Sequence, residues 1–327
     1  MEGIELRRLW WALAMQWGCG ASCIQAHTSG STGKPKEILL PREAVRLSAM
    51  RTNAYFGINA DSRLHSCVSP EFIGGKMMMI RVLEAGCAMT YEPPSNRPIL
   101  SPCGVIDLLA VVPSMMHHIL LRRKEGTLPD IRAILVGGSA IPAGLRRDIA
   151  ASGLDAYETY GMTETCSHIA LRRIEADEKP FTPLPGISVA ADARGCLVIE
   201  VPGIDRPVVT NDIAEFSDGG FRILGRADSV IVTGGRKVYP EDVERRMADL
   251  IPGTFVVAGH KSELWGEEIT LWIDADCAPE EFTPADSLAA LVRSRLAPWE
   301  TPKRYYRGRI PLTPSGKVVR RSLPFPD

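Results

Sequence analysis

The chain has 327 residues, a formal net charge of −1 and 45% hydrophobic residues. This length allows two domains with a sizeable core, and the balanced charge argues against nucleic-acid binding and against a strongly acidic or basic partner. The eight cysteines are scattered without a C-x-x-C pair, which favours reduced thiols in a cytoplasmic protein over a disulfide framework or a zinc site.

The N-terminal segment admits two interpretations. Arg7 and Arg8 precede the apolar run Leu9–Met15, as in a signal peptide, and Ala21-Ser22-Cys23 resembles a lipoprotein cleavage site. Cleavage there would leave the loop that follows about five residues from a fraying chain end. We therefore favour an amphipathic or buried helix over residues 4–17. No apolar run reaches the ~18–20 residues that a membrane-spanning helix requires.

A strand predicted over residues 22–28 leads into a loop rich in glycine and hydroxyl side chains. The glycines free backbone N–H groups for an anion-binding nest, the hydroxyls add neutral donors, and the lysines add positive charge. This combination is typical of polyphosphate binding, although a flexible surface turn is the alternative for the loop taken alone. It is not a Walker loop, because Pro35 follows Lys34 where Ser or Thr would bind magnesium. The loop residues are Thr28, Ser29, Gly30, Ser31, Thr32, Gly33, Lys34, Pro35 and Lys36.

Hydrophobic spacing beyond the loop predicts alternating strands and helices. Such alternation indicates an α/β fold with a large domain, in which helices cover both faces of a mainly parallel sheet. Short alternating runs from residue 187 to 233 predict a small β-rich subdomain, and residues 228–327 predict a small mobile α+β C-terminal domain. The predicted helices are 42–56, 76–84, 114–124, 142–151, 240–250 and 285–296, and the predicted strands of the sheet are 63–68, 87–91, 105–112, 131–136 and 155–160.

Further motifs follow in order along the chain. Gly137-Gly138-Ser139 follows an apolar strand, and Tyr160-Gly161-Met162-Thr163-Glu164 presents a ring, a hydroxyl and a carboxylate where a β-prone run breaks. Near the end, Pro314-Ser315-Gly316-Lys317 places one lysine on a loop made rigid by Pro and Gly. Between them lie Thr210-Asn211-Asp212, Gly225-Arg226-Ala227-Asp228 and Gly234-Gly235-Arg236-Lys237.

Together, from His27 to Leu323, these motifs resemble the adenylate-forming superfamily of acyl-CoA ligases, peptide-synthetase adenylation domains and luciferases. The resemblance implies that a carboxylate and ATP give an acyl adenylate and pyrophosphate, and that a thiol then gives a thioester. ATP or AMP, Mg²⁺ and coenzyme A are the implied cofactors. The implied domains are a shortened AMP-binding domain over 1–227 and a mobile domain over 228–327. Only 27 residues precede the loop, where such enzymes usually carry a large subdomain, so a shortened enzyme and a truncated sequence both stay open.

The resemblance also implies roles for the residues around the nucleotide. The loop Thr28–Lys36 would hold the β- and γ-phosphates, with Glu37 standing where glycine is common. Tyr160 would flank the adenine, Thr163 would contact the α-phosphate, and Glu164 would bind Mg²⁺, a hard cation that suits a carboxylate plus phosphate oxygens. The remaining nucleotide-binding positions are Gly137, Gly138, Ser139, Gly161 and Met162.

Four further positions carry implied roles in ribose binding and domain movement. Asp212 would accept both ribose hydroxyls, Arg226 would add a ribose and phosphate contact, and Asp228 would be the hinge. Lys317 would reach the carboxylate and the α-phosphate in the first half-reaction. Gly234, Gly235, Arg236 and Lys237 would line the path of the CoA arm in the second half-reaction. Ordinary alternatives are an Asx turn for Asp212, a surface ion pair for Arg226 and a solvated side chain for Lys317.

The acid substrate is the least determined feature. Residues 69–79 look most like short o-succinylbenzoate–CoA ligases of menaquinone synthesis, and Lys76 could pair with a substrate carboxylate, although a solvated helix lysine is its ordinary role. Other acyl- or aryl-CoA ligases, a domain loading a carrier protein, and a truncated nucleotide-binding homologue without turnover are the alternatives. A homodimer would cover apolar surface left by a missing subdomain. His117, His118 and His168 lack metal-ligand spacing and are expected to pack or lie at the surface.

Overall fold

A computed structural model describes residues 3–27, 36–100, 104–217, 219–251, 253–275, 286–312 and 318–325. In these ranges the strands form sheets of two, four, five and seven strands. The helices are α1 (Gly3–Gly18), α2 (Arg42–Phe56), α3 (Ile73–Ala85), α4 (Pro113–Lys124), α5 (Ala143–Ala151), α6 (Pro240–Met247) and α7 (Asp286–Arg295).

The seven-stranded sheet is mainly parallel, as the sequence predicts. Its spatial order is β4-β3-β5-β6-β7-β8-β9, with parallel pairing from β4 to β7. The last two strands return antiparallel and were not predicted from the sequence. These strands are β3 (Arg63–Ser66), β4 (Ala88–Tyr91), β5 (Leu108–Val111), β6 (Ile134–Val136), β7 (Ala156–Met162), β8 (Ser167–Arg173) and β9 (Thr182–Pro183).

Helices cover both faces of this sheet because its central strands are apolar on both sides. In β5, Leu109 and Val111 pack with residues of α4 and α5, whereas Leu108 and Ala110 pack with residues of α3. Helix α1 packs against α3, which confirms the predicted helix over 4–17. Its buried stripe consists of Leu6, Trp10, Leu13 and Trp17.

A two-stranded hairpin holds the two ends of the glycine-rich loop together. Strand β1 (Cys23–His27) pairs antiparallel with β2 (Glu37–Pro41), and the final pair is His27 with Glu37. Loop residues 28–35 lie outside the described residues.

Two smaller sheets follow. Strands β10 (Ser188–Ala191), β11 (Cys196–Glu200), β12 (Val208–Ser217) and β13 (Gly220–Arg226) form the predicted β-rich unit. The prediction extended this unit to residue 233, but β14 (Ile231–Thr233) pairs within the C-terminal sheet instead. That sheet also contains β15 (Arg236–Val238), β16 (Phe255–Ser262), β17 (Gly266–Asp274) and β18 (Arg304–Gly308).

The C-terminal sheet packs with α6 and α7 around one apolar cluster, as predicted for an α+β module. In the part of the chain that the structure describes, no helix is long and apolar enough to cross a membrane. The six described cysteines are free thiols.

Candidate active site

Three of the sequence motifs lie at the carboxyl edge of the large sheet. Gly137 follows β6, and Thr163 follows β7, which lies beside β6 and runs parallel to it. The hairpin that holds the glycine-rich loop reaches the same edge, since the Thr163 hydroxyl donates a hydrogen bond of 3.4 Å to the carbonyl of His27. The carboxyl edge is where ligands bind in open α/β sheets.

Thr163 and Glu164 differ in exposure. The Thr163 side chain is buried beside the foot of the loop, in a short 3₁₀ turn over Thr163–Thr165, whereas Glu164 is exposed. The Thr165 hydroxyl accepts a hydrogen bond from the Met162 N–H at 3.0 Å, which fixes the start of this turn. The turn therefore presents one carboxylate outward beside the β1–β2 hairpin, and a carboxylate is an oxygen donor of the kind that Mg²⁺ prefers. Among the described residues, no cluster of three His, Cys, Asp or Glu side chains could hold a metal by itself.

Gly161 is required by a close backbone approach, and Gly137 lies close against a side chain. A Cβ on Gly137 would lie 2.3 Å from the Thr159 hydroxyl oxygen, and one on Gly161 would lie 2.3 Å from the Ser167 carbonyl oxygen. Gly138 has a φ of +93°, which disfavours any other residue, and Ser139 is exposed. These positions therefore shape the edge of the sheet, and their contact with adenine stays a prediction.

The turn between β7 and β8 is strained. Cys166 and Ser167 have φ values of 55° and 86°, in the left-handed region that favours glycine. The Ser48 hydroxyl donates to the Cys166 carbonyl at 2.8 Å and the Thr165 hydroxyl donates to the Ser167 carbonyl at 2.7 Å, which hold the turn in place. Strained backbone of this kind concentrates at functional sites.

A chain of hydrogen bonds joins four residues that the sequence singles out. The Tyr160 hydroxyl donates to Asp212 Oδ2 at 2.7 Å, and Arg226 Nη1 lies 3.1 Å from Asp212 Oδ1. Arg226 Nε lies 3.0 Å from Asp228 Oδ1, at the start of the C-terminal module. The large sheet, the β-rich unit and the predicted hinge thus meet at Asp212.

The surroundings of Tyr160 and Arg226 keep these two residues in the protonated forms that donate hydrogen bonds. Burial, and secondarily the Asp212 charge, raises the pKa of Tyr160, so the phenol stays protonated and donates. Burial alone would lower the pKa of Arg226, but its hydrogen bond to Asp228 and the charge of Asp212 outweigh it, so that the pKa is raised. Each Asp212 oxygen has a second lone pair for a further donor such as a vicinal diol.

The Gly234-Gly235 segment forms the β14–β15 turn. Both glycines have positive φ, 54° and 75°, as a two-residue hairpin requires. The Gly234 N–H donates to the Trp265 carbonyl at 2.9 Å and the Arg236 guanidinium lies 4.3 Å from the Trp299 ring centre. Lys237 is exposed. These contacts lie within the C-terminal module, so a role beside the CoA arm stays a prediction, and Lys317 lies outside the described residues.

Helix α3 contains one buried cation that was not singled out from the sequence. Arg81 of α3 is 1% exposed, and burial lowers its pKa to about 9. Its hydrogen bonds are long, 3.5 Å to Ser167 Oγ and 3.5 Å to Met78 Sδ, and no carboxylate pairs with it among the described residues. The signal in the sequence that could have identified Arg81 is its position as an arginine inside the apolar run Met77–Leu83. Lys76 is half-buried, and burial lowers its pKa despite the opposing charge of Glu71.

Two polar cavities lie at the opposite, amino edge of the sheet. They have volumes of about 380 and 250 Å³ and share Asp107 and Arg132 in their walls. Arg132 Nη1 already pairs with Asp107 Oδ1 at 2.6 Å. None of the residues singled out from the sequence lines them, so the candidate site is the carboxyl edge.

Comparison with known proteins supports the same assignment. The chain is 26% identical to the 2-succinylbenzoate–CoA ligase of Bacillus cytotoxicus over 336 residues, covering 91% of this chain and 68% of that protein. The Geobacillus kaustophilus enzyme of the same name is 28% identical over 340 residues, again covering 91% and 68%.

Solved structures show the same fold. An acyl-CoA synthetase (AMP-forming)/AMP-acid ligase II-like protein from Dyadobacter fermentans matches with a TM-score of 0.65 and 29% identity, covering 96% of this chain and 92% of that one. The o-succinylbenzoate CoA synthetase of Bacillus subtilis, in complex with its acyl-adenylate intermediate, matches with a TM-score of 0.78 and 22% identity, covering 93% and 69%.

The model of the AMP-binding enzyme family matches residues 22–201, which is more than half of the 327-residue chain and includes the loop, Thr163 and Glu164. The chain therefore belongs to the AMP-binding enzyme family.

Proposed function

We propose that the protein is an ATP-dependent acid–CoA ligase. The observation that carries the proposal is the convergence at one sheet edge of the loop hairpin, the Thr163–Glu164 turn and the Tyr160–Asp212–Arg226 chain. A phosphate-binding loop, a carboxylate for Mg²⁺ and a carboxylate suited to a ribose diol are the parts that ATP needs.

In the first half-reaction, a substrate carboxylate oxygen attacks the α-phosphorus of ATP, and the bond to the β-phosphate bridging oxygen breaks to release pyrophosphate. Asp212 accepts the ribose hydroxyls, the Thr163 hydroxyl turns from the His27 carbonyl to donate to the α-phosphate, and Arg226 and Lys317 offset the charge that develops. Glu164 would hold Mg²⁺, which would neutralise further charge on the phosphates. In the second half-reaction, the CoA sulfur attacks the acyl carbon and AMP leaves, with residues Gly234–Lys237 beside the CoA arm.

The proposed acid is o-succinylbenzoate, which places the enzyme in menaquinone biosynthesis. The relatives named above support this choice, and so do the two cationic residues of α3, Lys76 and Arg81. This acid carries a second carboxylate, and Arg81 is a buried guanidinium without a carboxylate partner among the described residues. Lys76 is the weaker candidate for the same contact, since it lies nearer the surface.

Three further features belong to the proposal. The domain boundary lies between Ala227 and Asp228, where Asp228 serves as the hinge. The enzyme acts in the cytoplasm, which the six free described cysteines support. A homodimer is proposed because the outer face of α1 exposes Ile4, Trp11 and Met15, which are 72%, 68% and 48% exposed.

The proposal is tested by pyrophosphate release with ATP, Mg²⁺ and a panel of carboxylic acids, with and without CoA. Release with o-succinylbenzoate, together with a CoA thioester product, is the expected result. Release with a different acid would identify that acid as the substrate and would leave the proposed acid–CoA ligase activity unchanged. Thioester formation on a carrier protein but not on CoA would favour the carrier-loading alternative. No release with any acid, despite ATP binding, would favour a homologue without turnover.

A further inference from the structure

Helix α6 fastens the C-terminal module to the rest of the chain. It packs against β13, and its residue Arg245 makes polar contacts across the junction. Arg245 Nη2 donates to the Ile223 carbonyl at 2.9 Å, and Arg245 Nη1 lies 3.6 Å from Glu178 Oε1. Ile223 belongs to β13, and Glu178 follows β8, so both partners precede the predicted hinge at Asp228.

The same junction is shaped by a glycine. A Cβ on Gly225 would lie 2.5 Å from Glu241 Oε2, so a side chain at residue 225 would displace this carboxylate from its place against β13. Glu241 in turn lies 3.1 Å from Arg320 Nη1, and Arg320 also bonds Glu244 at 2.6 Å. In sequence, Arg320 is three residues after Lys317.

These contacts form a short path from the C-terminal segment to the nucleotide-binding residues. Arg320 contacts Glu241, Glu241 lies against Gly225, and Gly225 precedes Arg226, whose guanidinium bonds Asp212. The docking of α6 on β13 therefore connects Arg320, three residues after Lys317, through Glu241 to the strand that carries Arg226. For the Gly234–Lys237 segment to lie beside the CoA arm in the proposed second half-reaction, the module would have to leave this docked position.

Charge favours the docked arrangement at neutral pH. Burial alone would raise the pKa of Glu178, but the charges of Arg172, Arg245 and Arg146 outweigh it and hold the pKa below its ordinary value. Glu178 is thus an anion facing Arg245. Arg172 Nη1 also holds it at 2.6 Å and keeps it in place from the large sheet.

We propose that Arg245 is a positioning residue, which docks the C-terminal module in the pose for adenylate formation by binding Ile223 and Glu178 across the junction. This inference rests on the proposed function, because it assigns the docked pose to one of the two half-reactions. Arg245 acts through the orientation of the module and contacts neither substrate nor nucleotide.

The test compares two neighbouring arginines of α6. Arg245→Ala removes the contacts across the junction, whereas Arg246→Ala removes contacts to Asp242 and Glu300, both within the C-terminal module. Adenylate formation is measured by acid-dependent exchange of pyrophosphate into ATP. Thioester formation is measured separately, from acyl adenylate and CoA supplied to the enzyme.

Arg245→Ala is expected to slow the exchange about tenfold and to leave thioester formation unchanged or faster, because only the first pose loses its anchor. Arg245→Lys should restore part of the exchange, since Lys keeps one donor for Glu178. Arg246→Ala should not change the ratio of the two rates. An equal loss in both half-reactions with Arg245→Ala, or the same pattern with Arg246→Ala, would overturn the proposal.

Hydrogen exchange of the backbone amides separates this inference from the proposed function. Arg245→Ala should speed exchange along β13 and α6, while Arg246→Ala should leave β13 unchanged. This result holds even if the wild-type protein activates none of the acids tested, in which case the proposed function fails and the docking role stands. Unchanged exchange along β13 in Arg245→Ala would reject the docking role itself.

Discussion

Asp212 is the residue at which three parts of the molecule meet. One of its oxygens accepts a hydrogen bond from the Tyr160 hydroxyl, and the other pairs with Arg226. Arg226 in turn pairs with Asp228. Both bonds leave lone pairs on the carboxylate, so a ribose diol can bind without displacing either partner. These contacts differ from the Asx-turn alternative: the Asp212 N–H donates to the Thr210 hydroxyl at 3.0 Å, so the side chain that accepts in this turn is Thr210 and not Asp212.

Asp212→Asn should lower the rate of adenylate formation about tenfold to a hundredfold, because an amide offers one acceptor oxygen and no charge for Arg226. The measurement is acid-dependent pyrophosphate exchange as a function of ATP concentration. Asp205→Asn, at an exposed position of the same β-rich unit, is the matched control and should match the wild type. Equal rates for the Asp212 variant and the control would remove Asp212 from the site.

His168 links folding stability to pH. It is 5% exposed, and Thr52 Oγ1 lies 3.0 Å from its Nε2. Burial, with the charges of Arg81 and Arg51, holds the pKa of His168 well below 6.5. His168 of the unfolded chain therefore takes up a proton near pH 6.5, whereas His168 of the folded chain stays neutral at that pH. The contribution of His168 to the free energy of unfolding is therefore fully present above pH 6.5. It falls on acidification by up to about 1.4 kcal/mol per pH unit.

The check is urea unfolding of the wild type and His168→Gln between about pH 7 and pH 5. The wild type should lose more stability over this interval than the variant. His117→Gln, which changes an exposed histidine, is the control and should keep the wild-type slope. If His168→Gln loses as much stability on acidification as the wild type, the histidine is not held neutral.

At the residue scale, the sequence identifies the groups but not their contacts. Tyr160, Asp212 and Arg226 are each singled out from local motifs, yet their hydrogen bonds join positions 52 and 14 residues apart in sequence. Arg81 is missed because its burial depends on how α3 packs against β8 and not on any local pattern. The roles of Lys317 and of the loop Thr28–Lys34 stay predictions.

At the element scale, the start of α3 illustrates how a motif acquires a structural reason. Gly74 and Gly75 both begin this helix, but their surroundings differ. A Cβ on Gly75 would lie 2.2 Å from the Ser69 carbonyl oxygen, whereas a Cβ on Gly74 would meet nothing within 4 Å. The loop after β3 therefore packs closely against α3 at Gly75 and not at Gly74.

Gly75→Ala should destabilise the fold by about 1–3 kcal/mol, because the added methyl group forces backbone apart. Gly74→Ala should stabilise it by about 0.5–1 kcal/mol, since alanine is the better helix former. Urea unfolding of both variants measures the difference. A Gly75 variant as stable as the wild type would mean that Ser69 and α3 are not in this contact.

Element prediction succeeded where hydrophobic periodicity is strong and failed at a returning strand. The helix predicted over 42–56 is observed as Arg42–Phe56. Strand β8 was missed because it follows the Thr163–Thr165 turn directly and carries Arg172, a charge that reads as exposed. In the fold Arg172 is buried and pairs with Glu158 of β7 at 2.8 Å, a partner that only the antiparallel register supplies.

For the molecule as a whole, the central question is whether the C-terminal module swings about Asp228. The turn there is closed by a hydrogen bond of 3.0 Å from the Ser229 N–H to the Arg226 carbonyl. Asp228→Pro fixes one backbone dihedral at the third position of this turn, where proline fits poorly. Asp228→Ala removes the same ion pair to Arg226 and leaves the backbone free.

Asp228→Pro is expected to slow the complete reaction about tenfold more than Asp228→Ala, because only proline restricts the rotation between the two poses. Both half-reactions and the complete reaction are measured for each variant. Full rates in both half-reactions with Asp228→Pro would contradict the swinging-domain account and the domain boundary at this residue.

The order of the three units along the chain could be predicted from the sequence, but the junction between them could not. The large sheet, the β-rich unit and the α+β module appear in the expected order. The contacts that fasten them, from Arg245 to Glu178 and from Glu241 to Gly225, join residues far apart in sequence whose local patterns predict only an exposed helix. Such contacts depend on the assembled tertiary structure.

The most direct measurement is to incubate the wild-type protein with ATP, Mg²⁺ and o-succinylbenzoate without CoA, and to identify the nucleotide products by mass spectrometry. A ligase of the proposed kind should hold the acyl adenylate in near-stoichiometric amount, with pyrophosphate released and AMP appearing when CoA is added. Formation of ADP and inorganic phosphate or an acyl phosphate would contradict it, because the β–γ bond and not the α–β bond would then be the one cleaved.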